Sequence, residues 1–223
     1  DGPYNTASLS DPYLDGWTIT GDFMLNGSLD TLAGWSVNGT DTTLSTTLQR
    51  TGAGCAKMTM AGDSLGENLE RYDLRLVPGY WYKWTFWIKS NVTLGGASDA
   101  FFIRLVNLVK VQQWSAGAWI AGNSSSTHAY NAAVTTGWVQ HTLWFSVPST
   151  WDRTLDTITP VFNTKASASW VLNDYVLLDD VKMEGPYLSS DAVIPVAAVT
   201  KTTGQDAWGD DEEASGAVQG CKL

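Results

Sequence analysis

The chain lacks several features that would assign it to common functional classes. It has only two cysteines, Cys55 and Cys221, so neither a disulfide framework nor a cysteine-based metal site is predicted. It has 13 basic and 23 acidic residues, and the net charge of −10 disfavours binding to nucleic acid or to anionic lipid. No apolar run approaches the roughly 20 residues of a membrane span, so membrane insertion is not predicted.

Residue patterns that indicate catalysis are also missing. Of the two histidines, His128 lies in a serine-rich loop and is predicted to be solvated, whereas His141 is predicted to face the core of a strand. The sequence contains no Gly-x-Ser-x-Gly, no His-Glu-x-x-His, no glycine-rich phosphate loop and no dinucleotide fingerprint. The acidic run Asp210–Glu213 lacks the alternating ligand spacing of a calcium loop. We therefore predict a protein that is not an enzyme.

The residues that are abundant favour β-structure. Twelve tryptophans, 21 glycines and many threonines suit pleated strands joined by turns, and no long helical period competes. Short apolar or alternating runs recur between turn signals, and eight of them are predicted strands: Met24–Leu29, Cys55–Met60, Leu69–Val77, Tyr80–Lys89, Ala100–Val111, Val139–Val147, Thr157–Phe162 and Trp170–Met183. This spacing predicts an all-β fold, a jelly-roll β-sandwich of two antiparallel sheets.

The run from Tyr80 to Lys89 has two faces of different character, as expected of a strand with period two. One face is apolar and is predicted to be core: Tyr80, Tyr82, Trp84, Phe86 and Ile88. The other face mixes indole rings with hydroxyl and ammonium groups: Trp81, Lys83, Thr85, Trp87 and Lys89. We interpret the second face as an interaction surface whose partner is sugar or protein.

Two further predicted strands carry polar and aromatic residues on one face. Sugars present C–H faces that stack on indole and hydroxyls that pair with polar side chains, so adjoining strands of this kind would form a glycan platform. The candidate residues for glycan binding are Trp81, Trp87, Trp144, Arg104 and Gln140, with Trp114 and Trp119 in a loop at the edge. Alternatively the indoles pack under loops or against the C-terminal segment, and the loop that holds Trp114 and Trp119 is a subunit contact.

The composition divides the chain into three parts. Residues 21–185 form the predicted domain, preceded by an extended N-terminal arm, residues 1–20, and the start at Asp1 implies an upstream segment. Gly185-Pro186 is predicted to end the last strand, and residues 186–223 form an extended acidic tail that cannot bury a core of its own. If this tail is ordered, another subunit is expected to hold it.

Four segments together resemble carbohydrate-binding modules of families 4 and 9. These segments are Leu25–Asp30 followed by Gly34-Trp35, then Val77–Ser90, Thr136–His141 and Leu177–Val181, and the resemblance covers about residues 20–185. Asp30 stands where the family more often has glutamate. The resemblance implies a jelly roll, and that fold also occurs in virion proteins and enzymes.

The resemblance implies a structural calcium ion bound by Asp30 and Asp179, and oxygen ligands suit such a hard cation. Strict alternation places Asp179 on the apolar side of its strand, where a carboxylate needs a metal or several donors. The residues predicted to share that side are Tyr175, Leu177, Val181 and Met183. The alternative is that Asp179 or Asp180 accepts hydrogen bonds from backbone N–H groups at a strand end.

These observations lead to a functional hypothesis. We expect a non-catalytic structural protein of an extracellular or virion assembly, located extracellularly or on a virion surface, that adheres to glycans. Its expected partners are a glycan and, through the C-terminal tail, copies of itself or other subunits. The first alternative is a carbohydrate-binding module of a secreted polysaccharide-degrading system, and a glycan lyase is the second.

Overall fold

A computed structural model gives the fold of the protein. It describes residues 21–22, 24, 26–38, 41–60, 68–72, 74–94, 101–122, 130–164 and 170–187. These residues form thirteen strands in two antiparallel sheets, numbered β1 to β13 along the chain. The described part contains no α-helix, and hence none that could cross a membrane. The predicted all-β jelly-roll sandwich is thus confirmed.

Sheet A has six strands: β1 (Gly21–Asp22), β3 (Thr42–Ser45), β4 (Cys55–Thr59), β6 (Trp81–Ser90), β11 (Val139–Ser146) and β13 (Tyr175–Tyr187). Their spatial order is β11-β6-β13-β4-β3, and β1 pairs with the end of β13. Strands β6 and β13 are therefore central, whereas β11 forms one edge.

Sheet B has seven strands: β2 (Ser36–Asn38), β5 (Asn68–Glu70), β7 (Phe101–Asn107), β8 (Gln112–Ser115), β9 (Ala118–Ala121), β10 (Tyr130–Asn131) and β12 (Thr159–Thr164). Their order is β2-β5-β12-β7-β8-β9, with β10 paired to β7. The chain alternates between the sheets from β4 to β7 and again from β11 to β13, whereas β7 to β10 all belong to sheet B.

The core lies between the sheets and is built around β6. Trp84 and Phe86 are fully buried, and each ring lies close to Phe162 of β12 in the facing sheet, at centroid distances of 5.1 and 5.2 Å. Burying a large apolar side chain stabilises a fold by about 1.5–3 kcal/mol. The predicted core face of β6 is confirmed for its four residues in the strand: Tyr82, Trp84, Phe86 and Ile88.

The last strand departs from the alternation expected of it. A register shift follows Asp179, where Asp180 adopts a φ of +48°, which identifies a β-bulge. Before the bulge the even residues face the core, and after it Val181 and Met183 do. The prediction that Asp179 shares a face with Val181 and Met183 is therefore wrong, because the extra residue reverses the phase.

Several predicted strand limits also differ from the structure; the run Leu69–Val77, for example, forms a strand only as far as Glu70. Residues 26–28 form a turn within the predicted strand Met24–Leu29, with Asn26 at a φ of +56°. Gly185-Pro186 does not end the last strand, since a second irregularity lets β13 continue to Tyr187. The predicted arm, residues 1–20, and the tail after Tyr187 lie outside the described residues.

Candidate functional site

The predicted glycan platform is divided between the two sheets. Strands β6 and β11 adjoin, with Gln140 opposite Trp87 and Trp144 opposite Lys83, so these residues share the outer face of sheet A. Arg104 lies on β7 in sheet B and faces away from the core. The structure thus provides two separate outer surfaces.

On sheet A, a loop covers the ring of Trp87. The guanidinium of Arg50 lies 3.8 Å from the centre of this indole, in a cation–π contact. The same guanidinium forms an ion pair with Asp180 at 2.5 Å, and the hydroxyl of Thr51 donates to Asp180 at 2.8 Å. Trp87 therefore packs under a loop in this conformation, which is the alternative considered for the indoles.

The same loop is held by two carboxylates. Asp179 is fully buried and accepts hydrogen bonds from the backbone N–H groups of Arg50 at 2.7 Å, Thr51 at 3.3 Å and Asp180 at 2.8 Å. Asp30 accepts from the backbone N–H groups of Ala53 and Gly54. Together these bonds anchor residues 50–54 to the turn that holds Asp30 and to the bulge of β13.

The two carboxylates differ in electrostatics. Burial raises the pKa of Asp179 above its ordinary value, although its three backbone donors oppose the shift. The backbone N–H of Ala53 is the main cause that lowers the pKa of Asp30. The donors of Asp30 therefore favour its anion, whereas burial opposes ionisation of Asp179 and the N–H groups of the loop favour it.

The family resemblance implies a calcium ion at Asp30 and Asp179. The groups that contact the two carboxylates can be compared with the ligands that calcium prefers. Both carboxylates accept backbone N–H groups of the loop, and a cation would require carbonyl oxygens in that position. Within the described ranges no group of three or more acidic, histidine or cysteine side chains converges. Backbone N–H donors thus occupy both carboxylates, and calcium at Asp30 and Asp179 remains a prediction that a chelator tests.

Trp114 and Trp119 belong to an aromatic cluster that joins the sheets at one end. Trp114 is buried and contacts Trp81 and Trp119 edge to face, at 6.2 and 5.8 Å. Trp119 lies 4.6 Å from the ring of Trp151 and donates its indole N–H to the carbonyl of Ser146. These contacts indicate a packing role for both residues, while Trp81 lies partly exposed at the edge of the cluster.

Trp144 is a partly exposed indole on the edge strand β11 of the sheet A face. Its ring meets Tyr187 at 5.1 Å in an edge-to-face contact. In the same cross-strand row, Lys83 forms an ion pair with Glu184 at 3.5 Å. An indole held beside an ammonium group and a carboxylate is available for contact with a ligand at this position.

The outer face of sheet B carries polar groups in two neighbouring cross-strand rows. In one row Glu70, Val161 and Arg104 lie side by side across β5, β12 and β7. In the next row Asn68 lies beside Asn163. Val161 and Asn163 are buried on this outward face, whereas Glu70 and Arg104 on either side are partly exposed.

Hydrogen bonding and burial constrain the charged groups of this face. Tyr72, which is 43% exposed, makes a hydrogen bond to Glu70, and this bond is the main cause that raises the pKa of the phenol. Burial lowers the pKa of Arg104, and the Glu70 carboxylate opposes that shift. Sequence reasoning missed Glu70, Asn163 and Tyr72, although the alternation of Asn68, Glu70 and Tyr72 around buried Leu69 signals an outward face.

Outside these two faces, the side chains of His141 and Cys55 are buried. His141 stacks on Phe86 with an interplanar angle of 8°, and burial lowers its pKa, as expected of the predicted core-facing histidine. Burial and the Asp179 carboxylate raise the pKa of the Cys55 thiol to about 12. Both side chains are therefore neutral at pH 7.

Comparisons with known proteins extend the fold assignment. No protein-family model matches the chain, and no curated protein matches it. Among solved structures, a family 16 carbohydrate-binding module is 15% identical, with a TM-score of 0.51, over 73% of this chain and 99% of that chain. The enzymatically active domain of tailspike protein 4 of bacteriophage CBA120 is 16% identical, with a TM-score of 0.50, over 73% of this chain and 21% of that chain. A family 4 carbohydrate-binding module is also similar, at 15% identity and a TM-score of 0.44. The chain therefore shares the β-sandwich fold of carbohydrate-binding modules.

Proposed function

We propose that the protein is a non-catalytic glycan-binding protein and that the outer face of sheet B is its binding surface. The observation that carries the proposal is the pair of rows in which Glu70, Arg104, Asn68 and Asn163 flank one another across three adjacent strands. The similar carbohydrate-binding modules support the glycan as ligand class.

The physical basis is preorganisation. Glu70 is held by Tyr72, and Arg104 is held by burial against its neighbours, so binding would cost these groups little conformational entropy. A carboxylate, a guanidinium and two amides supply both donors and acceptors, as sugar hydroxyls require. The partly exposed ring of Tyr72 offers an aromatic surface on which a sugar can stack.

Affinity electrophoresis and calorimetry against neutral polysaccharides, with xylan and hydroxyethylcellulose as probes, would test the proposal. We expect at least one neutral polysaccharide to bind. Glu70→Gln should weaken binding about tenfold or more, because a hydrogen bond to a charged group contributes about 1.5–3 kcal/mol. Asn163→Ala should weaken it about fivefold, because a neutral hydrogen bond contributes about 1 kcal/mol.

Arg75→Gln is the matched control, since Arg75 is exposed and lies between β5 and β6 outside these rows. Melting temperatures of all variants should stay near that of the parent protein. If no neutral polysaccharide binds, or if the affinity is unchanged in both site variants, the proposed surface is refuted.

A place in an extracellular or virion assembly is the second part of the proposal. It is supported by the composition of residues 192–223, which is rich in small and polar residues and includes the acidic run Asp210–Glu213. We expect the full chain to form oligomers of defined size in sedimentation experiments. A monomer that persists at high protein concentration would count against this part and leave glycan binding unaffected.

A further inference from the structure

We propose that the outer face of sheet A is a second binding surface, for an acidic polysaccharide that carries carboxylate groups. The first observation is a concentration of basic residues on one face of an acidic protein. Of the 13 basic residues in the chain, five lie on this face or on the loop that covers it: Arg50, Lys57, Lys83, Lys89 and Lys182. Of the 23 acidic residues, five lie there by register or on the adjoining turn: Asp22, Asp41, Asp179, Asp180 and Glu184.

Local pairing among the described residues leaves three lysines of this face without an ion pair. Arg50 is paired with Asp180 and Lys83 with Glu184. Asp179 is fully buried beneath the loop and is unavailable to a ligand. Among the described residues, the three lysines that form no ion pair are Lys57, Lys89 and Lys182.

Two of these lysines lie in one cross-strand row. Lys89 and Lys57 are the neighbours of Leu177 on either side, so their backbones are separated by two strand spacings, about 9.6 Å. The ammonium of Lys57 lies 4.6 Å from the ring of Tyr175, a contact that restrains the side chain. Lys182 lies on the same face, beside Thr85. Cationic groups are thus spread along the sheet, as an extended ligand requires.

The aromatic residues of the face favour a sugar polymer over other anions. Trp144 is partly exposed and lies in the row of Lys83, next to Tyr187. An indole provides a flat surface on which sugar C–H groups stack, and the nearby ammonium groups can form ion pairs with the carboxylates of the polysaccharide. The net charge of the whole molecule does not prevent this, because at physiological ionic strength charges more than about 8 Å away are screened.

The test uses polygalacturonate and its fully methyl-esterified form with the full-length protein, in calorimetry at low and at high salt. We expect binding of polygalacturonate that weakens at high salt and little binding of the ester. Lys89→Gln with Lys182→Gln should lower the affinity about fivefold, or about 1 kcal/mol. Trp144→Ala should also lower it, whereas Arg75→Gln should not.

The effects of the variants on polygalacturonate binding distinguish a site on sheet A from the proposed glycan surface on sheet B. Unchanged affinity in Glu70→Gln supports a distinct site, and loss of polygalacturonate binding in that variant overturns its placement on sheet A. Equal binding of the ester, or no binding of either polymer, also overturns the proposal.

Discussion

Replacing Asp179 by alanine tests how the covering loop of sheet A is held. The carboxylate is fully buried, with short hydrogen bonds from the backbone N–H groups of Arg50 and Asp180 and a longer one from Thr51. A hydrogen bond to a charged group contributes about 1.5–3 kcal/mol, so losing the two short bonds costs about 3–6 kcal/mol. Because burial disfavours the anion, as its raised pKa shows, the net loss of stability should be near 3 kcal/mol.

Urea denaturation at neutral pH measures this loss. The urea concentration at the midpoint of unfolding should fall, and the dependence of the unfolding free energy on urea concentration should stay the same. Asp179→Asn keeps one acceptor oxygen and should lose about half as much. Asp180→Asn is the control, since asparagine tolerates the positive φ of this position and only a partly exposed ion pair, worth about 0–1 kcal/mol, is removed. An Asp179→Ala protein within about 0.5 kcal/mol of the parent would refute the view that these N–H groups depend on the carboxylate.

The remaining predictions concern the core, acid stability and calcium. Trp84→Ala should destabilise the protein by about 3–5 kcal/mol in denaturation experiments. Trp84→Phe should cost much less, because the indole N–H of Trp84 is buried without a hydrogen-bond partner among the described residues. The pKa of Asp30 is lowered in the folded protein, so its stabilising effect is present above the unfolded value of 3.8 and is lost as the pH falls through the folded value. The difference in stability between the parent and Asp30→Asn should therefore narrow on acidification; a constant difference would contradict this assignment. If Asp30 and Asp179 hold calcium, a chelator should lower the melting temperature, whereas N–H donors alone predict an unchanged melting curve.

The fold was largely predictable because β6 carries an unambiguous pattern. Its alternation placed Tyr82, Trp84, Phe86 and Ile88 on one face, and the structure buries all four. Trp87 and Trp144 were also placed correctly on outward faces, since residues paired across β6 and β11 share a side. The fate of Trp87 was not predictable, because the guanidinium that covers it comes from Arg50, 37 residues earlier in the chain.

The candidate site was less predictable, for two reasons. A β-bulge adds one residue to a strand, and alternation before and after Asp180 then has opposite phase. Glu70 and Arg104 belong to strands that do not touch, and only their common neighbour Val161 places them in one row.

The sequence by itself determined that the chain is an all-β sandwich, and it determined which face of β6 lies in the core, because period-two alternation is a local property of a strand. Only the tertiary structure decided the order of the strands. That order sends Arg104 to one sheet and Trp144 to the other, so the predicted platform became two surfaces. The physical reason is that pairing between strands depends on distant segments, and no local pattern reports which strands become neighbours.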